Sequence, residues 1–284
     1  MNMNILLTAL LFTPGNRPER FEKVKQTNAN GIIIDLEDAV AKPIEKDSAR
    51  LNAIEYLKNK PKNKTSFKYC LRINGLDTTH GFKDVIALIE ANVFPDILLL
   101  PKVESANTLY QLDSLFKDNA PLYIALIEST KGYRNIDEIA QSSKNLIGLA
   151  FGGGDLAEEL EASFTWEPLL YFRSRLVAAA KNANLSALDV PYINLKAHNN
   201  NDLIEETRKV KALGYNGKLC IHPKHIDGIQ EVFMPSDDEI LKAKEIINIF
   251  SKSNGNACSV DGKMIDIPMV KMAQKIINLS TREE

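Results

Sequence analysis

Cysteine is scarce in this 284-residue chain, which has three, Cys70, Cys220 and Cys258, far apart and without a CxxC pair. An odd, dispersed set excludes a disulfide framework and suits a reducing cytoplasm, with the thiols as ordinary core or surface groups. Net charge is nearly absent as well, with 35 Lys and Arg against 37 Asp and Glu. Lacking a broad basic face, the chain is not expected to bind nucleic acid or an anionic membrane. No apolar run approaches the roughly 20 residues of a membrane span. The opening MNMNILLTALLF has no basic leader and no convincing cleavage site, so it does not read as a secretory signal. A glycine fingerprint after the first apolar run is also missing, which counts against an open dinucleotide-binding sheet.

What the chain does have is eight short, almost continuously apolar runs: Ile5–Phe12, Ile32–Leu36, Tyr69–Ile73, Ile97–Leu100, Leu122–Ile127, Leu146–Phe151, Ala187–Val190 and Lys218–Ile221. Runs of this kind are expected of parallel strands covered on both faces. Between them lie stretches with helical spacing, at Pro18–Thr27, Ile44–Asn59, Phe82–Glu90, Ser105–Phe116, Ile136–Gln141, Glu167–Asn182 and Asn201–Leu213. Strands alternating with helices eight times predict an α/β fold, a (β/α)8 TIM barrel over residues 1–235. The remainder, 236–284, exceeds what a barrel needs. Ile226–Phe233 closes the barrel in this reading, and the extension contains helices at Asp237–Ser251 and Pro268–Leu279 joined by the polar link SKSNGNACSVDGK.

In such a barrel the active site forms where the strands end, so the polar residues after each apolar run are the ones to weigh. Glu128 and Asp155 follow the fifth and sixth runs. Neighbouring strands lie about 4.8 Å apart, so two carboxylates at their ends can converge on one hard divalent cation, with water and substrate oxygens completing the shell. Magnesium is the expected ion and manganese an acceptable substitute; the alternative is that both acids pair with Arg or Lys across the mouth. Arg72 ends the third run, where its rigid fork suits a substrate carboxylate; a salt bridge to Asp35, Glu37 or Asp38 is the competing role, and both can hold. Gly152, Gly153 and Gly154 precede Asp155 and leave the backbone open to an anion, although tight turns need glycine for geometry alone. His222 and His225 in IHPKHI have no third partner in sequence and read as loop hydrogen-bonding groups.

Taken in order, LLFTPGNRPERF, DLEDAV, LRING, LPKVES, IEST, GGGDL, GKLCIHPKHI and DGKMIDIPMVKMA span nearly the whole chain and resemble the citrate lyase beta-subunit-like family, within the metal-dependent aldolases and malyl-CoA-type lyases. The resemblance implies a magnesium-dependent carbon–carbon lyase acting on a short hydroxy-acyl thioester. It implies that Glu128 and Asp155 bind the metal and that Arg72 contacts the keto acid; the open backbone at Gly153 and Gly154 makes these two candidate substrate contacts beside them. Arg17 and Arg20 in the first loop become candidate contacts to the CoA or carrier-bound thioester, and Glu37 and Asp38 supporting residues around the metal and Arg72. It implies further that the C-terminal segment enters a neighbouring protomer's site with Asp266 as the catalytic group, making a homo-oligomer, a trimer or a multiple of one, a condition for activity. Asp266 is also placed to cap the helix that begins near Pro268.

The substrate candidates are citramalyl-CoA, malyl-CoA and a citryl thioester. The histidine-proline of IHPKHI resembles the stand-alone CoA-dependent members, which favours a CoA thioester and, among those, citramalyl-CoA. The alternatives are the beta subunit of a citrate lyase complex working on a carrier-bound citryl group, a pyruvate-dependent aldolase, and a non-catalytic barrel subunit.

Overall fold

The computed structural model describes residues 6–61, 66–195, 201–252, 258–260 and 263–280. Eight parallel strands close into a barrel: β1 Ala9–Pro14, β2 Gly31–Asp35, β3 Lys68–Arg72, β4 Ile97–Leu100, β5 Leu122–Ile127, β6 Leu146–Phe151, β7 Ser186–Asp189 and β8 Gly217–Cys220. Each strand pairs with the next in sequence, and β8 pairs back onto β1 through Ala9 to Lys218, Leu10 to Leu219 and Leu11 to Cys220. The helices in chain order are α1 Pro43–Lys58, α2 Thr79–Ala91, α3 Ala106–Phe116, α4 Thr130–Arg134, α5 Ile136–Ala140, α6 Gly153–Glu159, α7 Trp166–Asn182, α8 Asn201–Leu213 and α9 Ile226–Phe233. The fold is therefore the TIM barrel that the alternation of runs predicts.

Local chemistry explains where several helices begin. Thr78, Ser105 and Ser129 stand just ahead of α2, α3 and α4, and each side-chain oxygen accepts from a first-turn amide, which satisfies a group that the helix itself cannot. Asn92 closes α2 in the left-handed region at φ 51°, a conformation that asparagine tolerates better than most residues.

Every strand sends at least one side chain into a single apolar cluster, among them Leu10, Ile33, Cys70, Leu99, Leu126, Ala150, Leu188 and Leu219. Contributions from all eight staves mark this cluster as the filled lumen. Cys70 and Cys220 are buried free thiols, as ordinary core groups are expected to be.

The sequence expectation gives no helix at α4 or α6 and sets several ends a residue or more away; two further elements differ from it. The first strand starts at Ala9, so Leu6–Thr8 of the expected run are not strand, while Ile5 lies outside the described residues; it runs on to Pro14, because its pairing with β2 extends from Leu10 opposite Gly31 to Pro14 opposite Asp35. Its last two residues belong to the ladder, not to the apolar run. Residues 18–27 do not form an α-helix but two 3-10 turns, Pro18–Arg20 and Glu22–Gln26. Phe21 and Val24 are both buried, and their three-residue spacing matches the tighter helix.

A second compact unit covers Glu231–Glu284, the first being Met1–Gln230. The second holds α10 Asp237–Lys252, an antiparallel pair of β9 Cys258–Val260 and β10 Lys263–Ile265, and α11 Ile267–Ser280. The polar link expected between its helices thus contains paired backbone; residues 253–257 and 261–262 of that link lie outside the described residues. The helices pack on each other with Ala243 and Ala273 buried.

Outside the lumen, between the staves and the helices, sits an ion cluster. Lys218 Nζ lies 2.6 Å from Asp189 Oδ2 and 2.7 Å from Glu206 Oε1, and Arg173 Nε lies 3.1 Å from Asp189 Oδ1. Asp189 and Lys218 are wholly buried. Burial opposes the Lys218 charge, but Asp189 and Glu206 outweigh it and hold its pKa above the ordinary value. Removing one member of such a cluster strands the others. Asp189→Ala is expected to destabilise the barrel by about 3–5 kcal/mol, read as a shift of the urea unfolding midpoint.

Candidate active site

Alternation along the strands decides which residues reach the barrel mouth. Phe12, Asp35, Arg72, Glu128 and Gly152 each stand two residues beyond a lumen-facing position and so point toward the axis at the C-terminal rim. Asp35 and Arg72 are direct partners across β2 and β3. Their side chains form a two-pronged ion pair, Arg72 Nε to Asp35 Oδ1 at 2.7 Å and Nη2 to Oδ2 at 2.6 Å. Arg72 Nη1 reaches Glu37 Oε2 at 3.0 Å and donates to Asp38 Oδ2 at 3.2 Å. The guanidinium also stacks on the Phe12 ring, 4.8 Å from its centre. Burial works against the Arg72 charge, but the three acids outweigh it and raise its pKa further. Asp35 shapes the following turn as well, accepting from the Glu37 and Ala39 amides at 2.9 and 3.1 Å.

Glu128 is 6% exposed, and its Oε1 accepts from the Lys102 amide at 3.2 Å. It lies where it does because Gly152, just past the end of the adjoining strand, has no side chain: a Cβ there would come within 2.1 Å of Glu128 Cγ. Asp155 sits in the first turn of α6 with its carboxylate part-exposed, Oδ2 3.2 Å from Lys102 Nζ. The same ammonium is 3.9 Å from Glu37 Oε1. Lys102 therefore touches Glu128 through its main chain and Asp155 through its side chain, which brings the two acids to one neighbour. Lys102 itself has φ 50°, a left-handed conformation that costs a side-chain-bearing residue about 1–2 kcal/mol. Strain of this kind persists where surrounding contacts impose it.

The electrostatics of the site follow from this crowding. Burial, with the Asp155 charge behind it, pushes the Glu128 carboxyl up to about 7. Glu37 is pushed up to about 8, by burial first and then by Asp38, Glu128 and Asp35, with Arg72 pulling the other way. Lys46 contributes a third cation, donating to the carbonyls of Leu36 and Glu37 at 2.9 and 3.0 Å. Five carboxyl groups thus face three cations; the surplus leaves Glu37 and Glu128 prone to hold protons, and a divalent ion would take the place of those protons. Beside Glu37, Asp38 and Lys102 opens a cleft of about 410 Å3, walled by Lys46, Asn74, Thr78 and His80.

Arg17 and Arg20 are exposed on the loop after β1, Arg20 within 3.8 Å of Glu19. Gly153 and Gly154 open α6; a Cβ on Gly153 would strike Phe151 and Phe164, whereas Gly154 faces open space. Asp266 belongs to the second unit, where its Oδ1 accepts from the Met269 amide at 3.3 Å at the start of α11. His222 Nδ1 accepts from the Lys224 amide at 3.1 Å, a loop role. His225 is buried with Nδ1 unpaired among the described residues, and burial, with the His222 and Lys224 charges, pushes it down to about 4, so its ring is neutral. Sequence reasoning passed over Lys102 and Lys46. The signal for Lys102 was its place directly after the fourth apolar run.

With these positions in hand, the comparisons with known proteins are specific. The model of the family HpcH/HpaI aldolase/citrate lyase matches residues 8–223, and that of C–C bond lyases of the TIM-barrel fold matches residues 165–282. The chain belongs to the HpcH/HpaI aldolase/citrate lyase family and is by class a carbon–carbon lyase. It is 33% identical to the citrate lyase subunit beta of Leuconostoc mesenteroides subsp. cremoris, covering 99% of this chain and 95% of that one. It is 31% identical to the mitochondrial citramalyl-CoA lyase of Homo sapiens, covering 96% and 85%. Among solved structures, CitE from Mycobacterium tuberculosis in complex with magnesium, acetoacetate and coenzyme A superposes with a TM-score of 0.81 at 28% identity, covering 97% and 98%.

The Gly152 contact yields a test that needs no substrate. Gly152→Ala forces the Glu128 side chain aside and is expected to destabilise the barrel by about 1–3 kcal/mol in urea unfolding. The penalty shrinks in a Glu128→Ala background, because the two substitutions share one clash.

Proposed function

We propose that the chain is a magnesium-dependent lyase that cleaves a short hydroxy-acyl-CoA thioester into acetyl-CoA and a 2-keto acid, with citramalyl-CoA the favoured substrate. The observation that carries this reading is the pair of carboxylates, Glu128 and Asp155, meeting at Lys102 beside the Arg72 fork. All-oxygen donors from two acids, leaving room for water and substrate, suit magnesium. The citramalyl-CoA lyase and the magnesium- and CoA-bound CitE among the relatives support it further.

Glu128 and Asp155 are assigned to hold the ion, which when bound polarises the substrate hydroxyl and the incipient keto oxygen. The bond that breaks joins the hydroxyl-bearing carbon to the thioester α-carbon. Arg72, already fixed by Asp35, Glu37 and Asp38, meets the substrate carboxylate with the N–H groups that those acids leave free. Pre-set in this way, it needs little reorganisation to bind an anion. The hydroxyl proton must leave and a proton must reach the α-carbon; Asp266 of a neighbouring protomer, or a water it orients, is assigned to move them. Gly153 and Gly154 let the acid end approach the backbone, and Arg17 and Arg20 offer positive charge to the CoA phosphates. The protein is placed in the cytoplasm as a homotrimer or a multiple of one, with residues 1–235 as the catalytic barrel and 236–284 as the segment supplied to the neighbour. The 33% identity to a citrate lyase beta subunit supports a second reading, action on a carrier-bound citryl group.

Purified chain supplied with citramalyl-CoA, malyl-CoA or a citryl thioester is expected to release acetyl thioester and keto acid, fastest from citramalyl-CoA. Turnover stops in EDTA and returns with MgCl2. Glu128→Ala and Asp155→Ala each lower kcat by at least about a thousandfold with the circular dichroism unchanged. Full activity in EDTA, or in both variants, would defeat the metal mechanism. The Asp266 assignment has its own test: Glu128→Ala and Asp266→Asn, each inactive alone, are expected to recover part of the wild-type turnover when their subunits are mixed and exchanged. A mixture that stays inactive removes Asp266 from a neighbour's site.

A further inference from the structure

We propose that Lys102 is an internal competitor for the metal position: its ammonium holds Asp155 and Glu37 in the metal-free site, and a divalent cation binds by displacing it toward the adjoining cleft. This rests on the metal-dependent reading above. Three observations lead to it. The ammonium contacts Asp155 at 3.2 Å, one of the two acids assigned to the metal, and Glu37 at 3.9 Å. It remains half exposed, so these contacts do not lock it in place. The Lys102 main chain, by contrast, is fixed, its amide on Glu128 Oε1 and its backbone at φ 50°. One residue therefore combines an anchored backbone that positions the first acid with a half-exposed charge that covers the second.

The consequence is exchange without a charge vacuum. In the absence of metal, Lys102 limits repulsion among Glu37, Glu128 and Asp155; once metal takes over that task, the ammonium is free to face the cleft that Lys102 lines with Lys46. A positive charge released there favours an anionic group of the substrate. Lys46 serves as the contrast, since its ammonium is occupied by the Leu36 and Glu37 carbonyls and by Asn74 Oδ1 and not by either metal acid.

The test is calorimetric titration of MgCl2 into the full chain at low ionic strength, without substrate. An exposed ion pair that must be broken lowers affinity about fivefold, so Lys102→Met is expected to bind magnesium about fivefold more tightly than wild type. Lys102→Arg, which restores the charge, stays near wild type, and Lys46→Met tightens binding much less than Lys102→Met. Equal or weaker binding by Lys102→Met overturns the proposal, as does equal tightening by Lys46→Met, which would indicate a general field. Should Lys102→Met not fold, Lys102→Gly removes the same charge and adopts the left-handed backbone freely. A wild-type chain that takes up no magnesium overturns the metal-dependent reading itself, whereas stoichiometric uptake with no gain in the variant overturns only the role of Lys102.

Discussion

Repulsion among carboxylates crowded onto one rim of a closed barrel is the constraint around which this molecule is organised. Asp35, Glu37, Asp38, Glu128 and Asp155 arrive there because the ends of β2, β5 and β6 and the segments that follow them open onto a single mouth. Left alone, such a set would take up protons, and Glu37 and Glu128 show that tendency in their raised pKa values. Arg72 fixes three of the acids at once, and Lys102 spans the gap between the strand ends that carry the others. A site with unspent negative charge and room for oxygen ligands is a place where a hard cation is at home.

The barrel separates this stored tension from its own stability. On the outer face of β7 and β8, Asp189, Lys218, Arg173 and Glu206 form a cluster in which two acids and two bases are matched. At the mouth they are not matched, and Asp38, Lys102 and Asp155 there remain partly exposed. The lumen between the two is apolar and draws on every stave, so the rim rests on a packed plug that does not share its electrostatic imbalance.

Much of this was legible in the sequence because parallel staves covered on both faces need unbroken apolar runs, and such runs show where polar residues must emerge. Glu128, Asp155 and Arg72 were found by that rule alone. The rule misplaced β1, whose last residues, Thr13 and Pro14, are held by ladder pairing without adding to hydrophobicity. It took Phe21 and Val24 for part of an α-helix because three-residue spacing fits both helical periods. Lys102 was hidden for a different reason. Its importance lies in a left-handed backbone and in contacts with residues 26 and 53 positions later, neither of which a local pattern encodes. Asp266 carries two readings in sequence, and its place at the start of α11 satisfies the structural one without touching the other.

Glu128 and Gly152 form one unit though they follow different strands. The carboxylate side chain passes over the spot where any larger neighbour would begin, so acid and glycine are complementary halves of a single shape. Anyone transplanting this chemistry onto another eight-stranded scaffold must therefore carry both positions together, since the acid moved alone arrives with nowhere to lie.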